Sequence, residues 1–499
     1  MAKLNPDFTS AADGKFLITG IGASAGGIQA LKEFFQHVPG NSGIAYVVIL
    51  HLSPDHDSKL AEVLQIVSQI PVQQVKEKTK IERDNIYVVP PNQHLNIQDG
   101  FIAPSPNLLM EERRAPVDIF FRNLADTHGS RAVCVVLSGT GADGSMGLKR
   151  IKEMGGVTYV QSPREAEFNE MPRSSIATEL VDEVLPVAEI PAKILAYKNS
   201  LGTVQINIEP EKRPEPDQQA LREIFTQLRV RTGHDFSNYK RPTLLRRIER
   251  RIHIRNLADL PSYVQFLLQN PDEVNALLRD LLISVTNFFR DAKPFRQIEE
   301  EVLPAILQGK TANENVRIWV AGCATGEEAY SIAILAAEKV SGLIDAPRVQ
   351  IFATDIDEGA IAVAREGFYT LNDAADVSPE RLRRFFTQEG DGFRIKREIR
   401  EMILFANHNF LKDPPFSRLH LITCRNVLIY LNNVAQERVM ETFHFALNLK
   451  SYLFLGTSES VDGASDLYAV YNRENHIYQA REVSSRNVPI PESVPHLNF

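Results

Sequence analysis

Ser24 lies in the run GIGASAGG, flanked by Gly22 and Gly26 in a G-x-S-x-G arrangement. Small neighbours on a strand-to-helix turn leave a serine hydroxyl exposed enough to act as a nucleophile. The same run also satisfies G-x-G-x-x-A through Gly20, Gly22 and Ala25, the pattern of a dinucleotide-binding turn. That alternative asks for an acid at the end of the next strand to hold a ribose. The next β-rich run, AYVVIL, ends instead in His51, which supplies a general base. A third run, AVCVVLSG, leads into Ser138, Gly139, Thr140, Gly141, Ala142, Asp143 and Gly144, a Gly-rich loop carrying an acid. Ser24, His51 and Asp143 thus stand at three strand ends as nucleophile, base and orienter of a hydrolytic triad. Each has a structural reading alone, since Gly-rich turns and strand-end polar residues are common; their alignment carries the catalytic one.

A second constellation follows in VRIWVAGCATGEEAYSIA, where a strand runs into Gly322 and Gly326 and then into acids at the start of a helix. Such a turn lets backbone approach a nucleoside closely, although a plain βα turn looks the same. The next strand ends in ATDID, offering Asp355 to a ribose diol. There is no GxxxxGK[ST] loop, which argues against a P-loop nucleotide site. The segment HLSPDHD crowds His51, Asp55, His56 and Asp57, a set that could be weighed for a metal. Pro54 after a strand favours a solvated loop there, and with no further ligand cluster no metal is expected.

These side chains need scaffolds, and 499 residues are enough for about two to four domains. With 43% hydrophobic and 24% charged residues the composition is that of a globular chain, and a net charge of −8 gives nucleic acid no global reason to bind. Three scattered cysteines, Cys134, Cys323 and Cys424, suit a reducing cytoplasm rather than a disulfide framework. The N-terminus has no apolar signal core, and no apolar run is long enough for membrane insertion. The alternation of β-branched runs and helical stretches predicts a doubly wound parallel-sheet domain over 16–200, after an unstructured 1–15. A Pro-rich charged stretch, NIEPEKRPEPD, predicts a linker over 201–217. A small helical domain follows over 218–290, and the βα rhythm returns over 291–482 before a structureless tail over 483–499.

Within the helical part, KRPTLLRRIERRIHIR carries seven cations, Lys240, Arg241, Arg246, Arg247, Arg250, Arg251 and Arg255, against one acid, Glu249. Leu244, Ile248 and Ile252 recur at helical spacing, so the arginines are expected on the surface. They either pair with carboxylates of this acidic chain or face an acidic partner, in which case activity toward that partner falls with salt.

GASAGG, the strand ending in His51, LSGTGADGSMG and VDEVLP together resemble the catalytic domain of CheB-type protein-glutamate methylesterases. The resemblance implies that Ser24 is the nucleophile, His51 the base and Asp143 its orienter, acting on the methyl ester of a chemoreceptor glutamate and on certain receptor glutamines. It places an oxyanion hole at the amide after Ser24 and near Thr140, where the family often has Met. The family's usual form begins with a receiver domain, whereas about fifteen residues precede the first strand here, so no receiver control within this chain is expected. SVTNFFRD, GCATGEEAYSIA, ATDID, FANHNF and CRNVLIYL likewise resemble CheR-type protein-glutamate methyltransferases. That implies a Rossmann-like domain binding S-adenosylmethionine: Arg290 at its carboxylate, Glu328 at its ammonium and Asp355 at its ribose. Thr286, Asn409, Phe410, Asn426 and Val427 complete the pocket, with Ser284 where the family often has Asn, and Tyr430 lies near the methyl group. The helical domain would face glutamate-rich receptor helices through Arg247 and Arg251.

The expectation is therefore an α/β chain of three parts, a cytoplasmic bifunctional enzyme that forms and cleaves glutamate methyl esters on chemoreceptor cytoplasmic domains, with two-component signalling proteins as further partners. The alternative is a scaffold or sensor module whose catalysis is reduced.

Overall fold

The computed structural model describes residues 16–50, 59–90, 93–106, 115–282, 284–371, 373–390 and 392–483. They group into two compact units, residues 1–205 with 248–265, and residues 206–247 with 266–499.

The first unit is built on a seven-stranded sheet in the order Glu183–Leu185, Val157–Gln161, Ala132–Val136, Ile18–Ala23, Ala45–Leu50, Asn85–Val88, Val72–Gln74. Every pairing is parallel. All residues of ITGIGA, AYVVIL and AVCVV are buried, which requires cover on both faces and explains the continuous rather than alternating apolar runs. The helix Gly27–Gln36 supplies one cover through Ala30, Leu31, Phe34 and Phe35, and Pro116–His128 another through Val117, Phe120, Phe121 and Leu124. A small antiparallel sheet of Thr79–Lys80, Phe101–Pro106 and Gln93–Gln98 is added, which the sequence pattern did not announce. The chain leaves Ile18–Ala23 toward one side of the sheet and returns at Ala132–Val136 on the other. The crevice between those two strand ends is the topological switch point.

Residues 248–265 belong to this unit, and Ile254 packs in its core. The arginine helix Arg241–Ile254 corrects the surface expectation. Arg247, Arg250 and Arg251 are only 9%, 5% and 2% exposed. Arg250 donates to the Gly156 carbonyl at 2.9 Å and to the Asp182 carboxylate, and Arg251 reaches the same carboxylate at 3.4 Å. Lys152 meets Asp182 at 2.6 Å. Arg247 and Arg251 therefore do not form a face for an acidic partner; the reading in which the chain's own carboxylates take the arginines is the one realised at Arg250 and Arg251. The reason is energetic: a buried carboxylate is tolerated only when cations and hydrogen-bond donors surround it.

In the second unit a seven-stranded sheet runs in the order Ile403–Asn407, Arg348–Asp355, Asn315–Ala321, Leu419–Cys424, Leu447–Leu455, Ile477–Ala480, Tyr468–Asn472. The first five are parallel and the last two antiparallel, closing the edge as a hairpin. Its switch point lies between Asn315–Ala321 and Leu419–Cys424, by the same logic as in the first unit. Helix Glu327–Val340 covers one face and buries ten consecutive residues from Glu327 to Ala336. A small antiparallel sheet of Phe368–Thr370, Gly392–Ile395 and Phe386–Glu389 is inserted between Arg348–Asp355 and Ile403–Asn407. Helix Glu215–Thr232 starts inside the stretch expected as linker, with Pro214 before it and Gly233 in the left-handed conformation ending it. No helix among the described residues is long and apolar enough to cross a membrane.

Candidate active sites

At the first switch point Ser24 directly follows its strand. Its N–H donates to the Ser138 carbonyl at 3.0 Å and its carbonyl accepts from Gly27 at 2.9 Å, so the turn is tied to the neighbouring strand end before helix Gly27–Gln36 begins. Gly26 has φ +70°, and a Cβ there would lie 2.8 Å from Ser138 Oγ. A side chain is thus excluded by both conformation and space. The partner loop is held from below. The Ser138 N–H donates to Gln161 Oε1 at 2.7 Å, its hydroxyl donates to the Ala25 carbonyl at 3.0 Å, and Gly141 N–H donates to Glu170 Oε2 at 2.7 Å. Gly139 passes so close that a Cβ would sit 2.9 Å from Ser24 Cβ and 2.1 Å from Met171 Sδ. Serine and Gly-rich loop are therefore brought together.

Asp143 is buried in that loop and accepts from Val117 N–H at 3.1 Å and Asp118 N–H at 2.9 Å, capping the first turn of helix Pro116–His128. Burial, and secondarily the nearby Asp118 charge, pushes its carboxyl pKa well above the usual carboxylate range. This structural duty was not legible in the sequence, which suggested only an orienting acid. His51 and the rest of HLSPDHD lie outside the described residues. Among the described residues no group of three His, Cys, Asp or Glu side chains is placed to hold a metal.

At the second switch point one cavity is lined by Ser284, Thr286, Arg290, Glu328, Asp355, Asn409, Phe410, Asn426, Val427 and Tyr430, all ten of the pocket positions expected from separate motifs. Glu328 sits in the first turn of its helix, where the dipole favours a negative charge. Its carboxylate accepts from Thr423 Oγ1 at 2.7 Å and faces Arg425 Nη1 at 3.3 Å. Arg425 in turn donates to the Arg290 carbonyl at 3.0 Å and pairs with Asp291 at 2.7 Å, its guanidinium between the rings of Phe295 and Phe454. Asp355 accepts from Ala324 N–H at 2.8 Å and Asp357 N–H at 3.0 Å, yet burial still raises its pKa. Ser284 donates to Asp357 at 3.0 Å.

The cavity has further walls that the motifs did not reveal. His234, Asp235, Phe236 and Tyr239, from GHDFSNY, line it as well. That segment is drawn in by a bridge between Tyr239 and Leu431 and by Lys240 N–H donating to the Tyr430 carbonyl at 2.8 Å. Burial holds the His234 imidazole below its usual value and raises the Tyr239 phenol, with Asp355 adding to the latter. The available signal was a helix stopped by Gly233 and followed at once by His, Asp and two aromatic residues. Three carboxylates, Asp235, Glu328 and Asp355, two arginines, Arg290 and Arg425, and apolar or aromatic walls in one crevice suit a ligand with an ammonium, a carboxylate, a diol and a flat ring.

Known protein families match both parts of the chain. Residues 19–194 match the CheB methylesterase family, residues 219–282 the all-alpha domain of CheR methyltransferase, and residues 284–477 its S-adenosylmethionine binding domain. An uncharacterised 104.1 kDa protein of Rhodobacter capsulatus is 36% identical over 84% of this chain, which spans 46% of that protein. A Leptospira interrogans protein named "putative protein-glutamate methylesterase/protein-glutamine glutaminase" is 36% identical over 34% of the chain and 89% of its own length. The chemotaxis protein methyltransferase 2 of Vibrio cholerae is 30% identical over 50% of the chain and 87% of its own length. The family model matched by residues 284–477 is an S-adenosylmethionine-binding domain, and S-adenosylmethionine is the cofactor of that domain. The chain belongs to two chemotaxis enzyme families at once, a CheB-type methylesterase domain followed on the same polypeptide by the helical and cofactor-binding domains of a CheR-type methyltransferase.

Proposed function

We propose that this chain is a bifunctional cytoplasmic enzyme of receptor adaptation: it methylates glutamate side chains of chemoreceptor cytoplasmic domains and hydrolyses the resulting esters, with two-component signalling proteins as further partners. The esterase occupies 16–200 and, beyond a linker over 201–217 whose last residues already enter helix Glu215–Thr232, the helical domain 218–290, of which 248–265 group with the first unit, and the methyltransferase domain 291–482 form the second enzyme. The observation that carries the reading is the convergence of ten motif residues from separate segments on one cavity.

In the methyltransferase, bound S-adenosylmethionine supplies an electrophilic sulfonium methyl. Arg290 takes the cofactor carboxylate, Glu328 its ammonium and Asp355 the ribose hydroxyls, while Ser284, Thr286, Asn409, Phe410, Asn426 and Val427 shape the pocket and Tyr430 stands beside the reacting centre. A substrate glutamate, with an ordinary pKa of about 4.3, is already ionised at neutral pH and needs no strong base to attack. Positioning then supplies most of the rate. In the esterase, the Ser24 hydroxyl attacks the ester carbonyl as His51 takes its proton, and Asp143 orients His51. Methanol leaves with that proton, and water releases the glutamate by the reverse relay. Backbone N–H groups after Ser24 and near Thr140 receive the developing oxyanion, and glutamine side chains follow the same path with ammonia leaving.

The test follows methyl-labelled S-adenosylmethionine with receptor cytoplasmic fragments, reading base-labile protein label and released methanol. Label on the fragments and methanol from the wild type are expected; absence of cofactor binding would favour a scaffold, and cofactor binding without label a different protein substrate. Two variants sharpen it. Glu328→Gln keeps an acceptor for Thr423 but removes the charge, and is expected to weaken S-adenosylhomocysteine binding by about 10–100-fold in titration calorimetry, the size of one charge-assisted hydrogen bond. Gly139→Ala forces a methyl group against Met171 and Ser24, and is expected to slow ester hydrolysis by about 100-fold without changing cofactor affinity.

A further inference from the structure

We propose that Glu459 is a positioning residue of the methyltransferase: its carboxylate shapes the loop that forms one wall of the cofactor cavity. The inference rests on the assignment of that cavity to S-adenosylmethionine. After strand Leu419–Cys424 the chain turns sharply through Arg425, Asn426 and Val427 into the short turn Leu428–Tyr430. Four successive backbone N–H groups, 426 to 429, point to one side, the kind of concave cluster that binds an anion. The anion here is internal. Glu459 comes from the segment after strand Leu447–Leu455, and its Oε1 accepts from Val427 at 2.9 Å, Leu428 at 2.8 Å and Ile429 at 3.3 Å. Its Oε2 accepts from Asn426 at 3.0 Å and from Gly456 at 2.7 Å.

A carboxylate only 5% exposed with five backbone donors is not a surface ornament. The five bonds bear directly on the cavity. They hold Asn426 at φ +59°, a left-handed conformation that asparagine adopts more readily than most residues with a side chain, and so fix where Asn426 and Val427 face the crevice. Val427 is thereby pressed onto the opposite wall, where a Cβ on Gly322 would lie 2.4 Å from Val427 Cγ2. Tyr430 closes the same turn, its N–H donating to the Val427 carbonyl at 3.2 Å. Glu459 does not line the cavity itself, so its effect passes through the loop. Gly456 is part of the clamp, because a Cβ there would sit 2.8 Å from both Asn426 N and Glu459 Oε2.

The experiment uses the full chain and compares wild type, Glu459→Gln and a core variant of the same unit, Leu335→Ala, at a temperature where all are folded. Glutamine puts an NH2 group where a carboxylate oxygen accepted, so at least two of the five backbone N–H groups lose their partner. The expected result for Glu459→Gln is S-adenosylhomocysteine binding weakened by about 10–100-fold, from the loss of one or two hydrogen bonds to a charged group. Leu335→Ala lowers the melting temperature but leaves binding unchanged. Amide hydrogen exchange should quicken in the peptide covering 425–431 and stay slow in strand Leu447–Leu455. Should Glu459→Gln not fold, Gly456→Ala disturbs the same clamp with the charge kept and is expected to shift binding and exchange in the same direction. Wild-type affinity in Glu459→Gln, or a loss no larger than in Leu335→Ala, would overturn the proposal. A wild type that binds no S-adenosylhomocysteine would remove the cofactor assignment itself, a distinct result.

Discussion

Ser24→Ala is expected to abolish methanol release from methylated receptor fragments, by on the order of 10⁴-fold or more, while S-adenosylhomocysteine binding and methyl transfer stay at the wild-type level. A serine nucleophile acts as one unit with its base, so removing it forfeits the whole covalent route and leaves only the contribution of binding and oxyanion stabilisation. The fold should tolerate the change. The bonds that tie the turn are made by the Ser24 backbone, N–H to Ser138 and carbonyl to Gly27, and alanine keeps both. Ser24 is also not among the residues with positive φ, so no backbone strain is released or added. Methyl label should build up to a higher level on fragments incubated with the variant, because formation continues and cleavage stops. Methanol released at wild-type rate by Ser24→Ala would exclude this serine as nucleophile and leave the first unit with another role.

The second large effect is on stability. Asp182→Ala is expected to destabilise the first unit by about 3–5 kcal/mol, the usual cost of removing one partner from a buried ion pair. The carboxylate is completely buried and meets Lys152 at 2.6 Å, Arg250, and Arg251 at 3.4 Å. It also accepts from Thr158 N–H at 3.0 Å and Thr158 Oγ1 at 3.1 Å, inside strand Val157–Gln161. Alanine removes the shared acceptor of three cations and leaves a strand N–H without this partner. In a unit of roughly 200 residues, each kcal/mol moves the melting temperature by about 2–4 °C, so a fall of roughly 10 °C is expected in calorimetry. Replacing Arg250 by Met at the same time should recover part of it, since one fewer unpaired cation is then buried. A shift below about 2 °C would mean that the cluster adds little to stability. Below the transition, ester hydrolysis should be little changed, which separates this effect from that of Ser24→Ala.

Much of the chemistry was legible because it is written in short-range patterns. A glycine where the backbone must turn left-handed, an acid at a strand end and an acid in the first turn of a helix each have a local physical cause. Ser24 beside Gly26, Glu328 after Gly326 and Asp355 at the end of its strand could therefore be named before any contact was known. Family resemblance extended that to residues such as Asn409 and Thr286, whose own neighbourhoods say little.

Contacts across long separations were not legible. Helical spacing in LLRRIERRI marked the helix but not its environment, and the arginines expected outside are buried because Asp182, 68 residues from Arg250, needs them. The loop around Asp143 suggests an orienting acid, but not that it also caps a helix through Val117 and Asp118, 26 and 25 residues earlier in the chain. Glu459 carries no motif at all, since four of its five backbone N–H partners lie 30 to 33 residues away. The sequence by itself determined the two parallel-sheet scaffolds, their Gly-rich turns and the identities of the side chains at their ends, because periodicity and turn chemistry are local properties. Only the tertiary structure decided which charges are buried together, which segment lines the cavity of the second unit and which backbone groups Glu459 takes up, because each of these is a balance of desolvation against partners that the chain order keeps far apart.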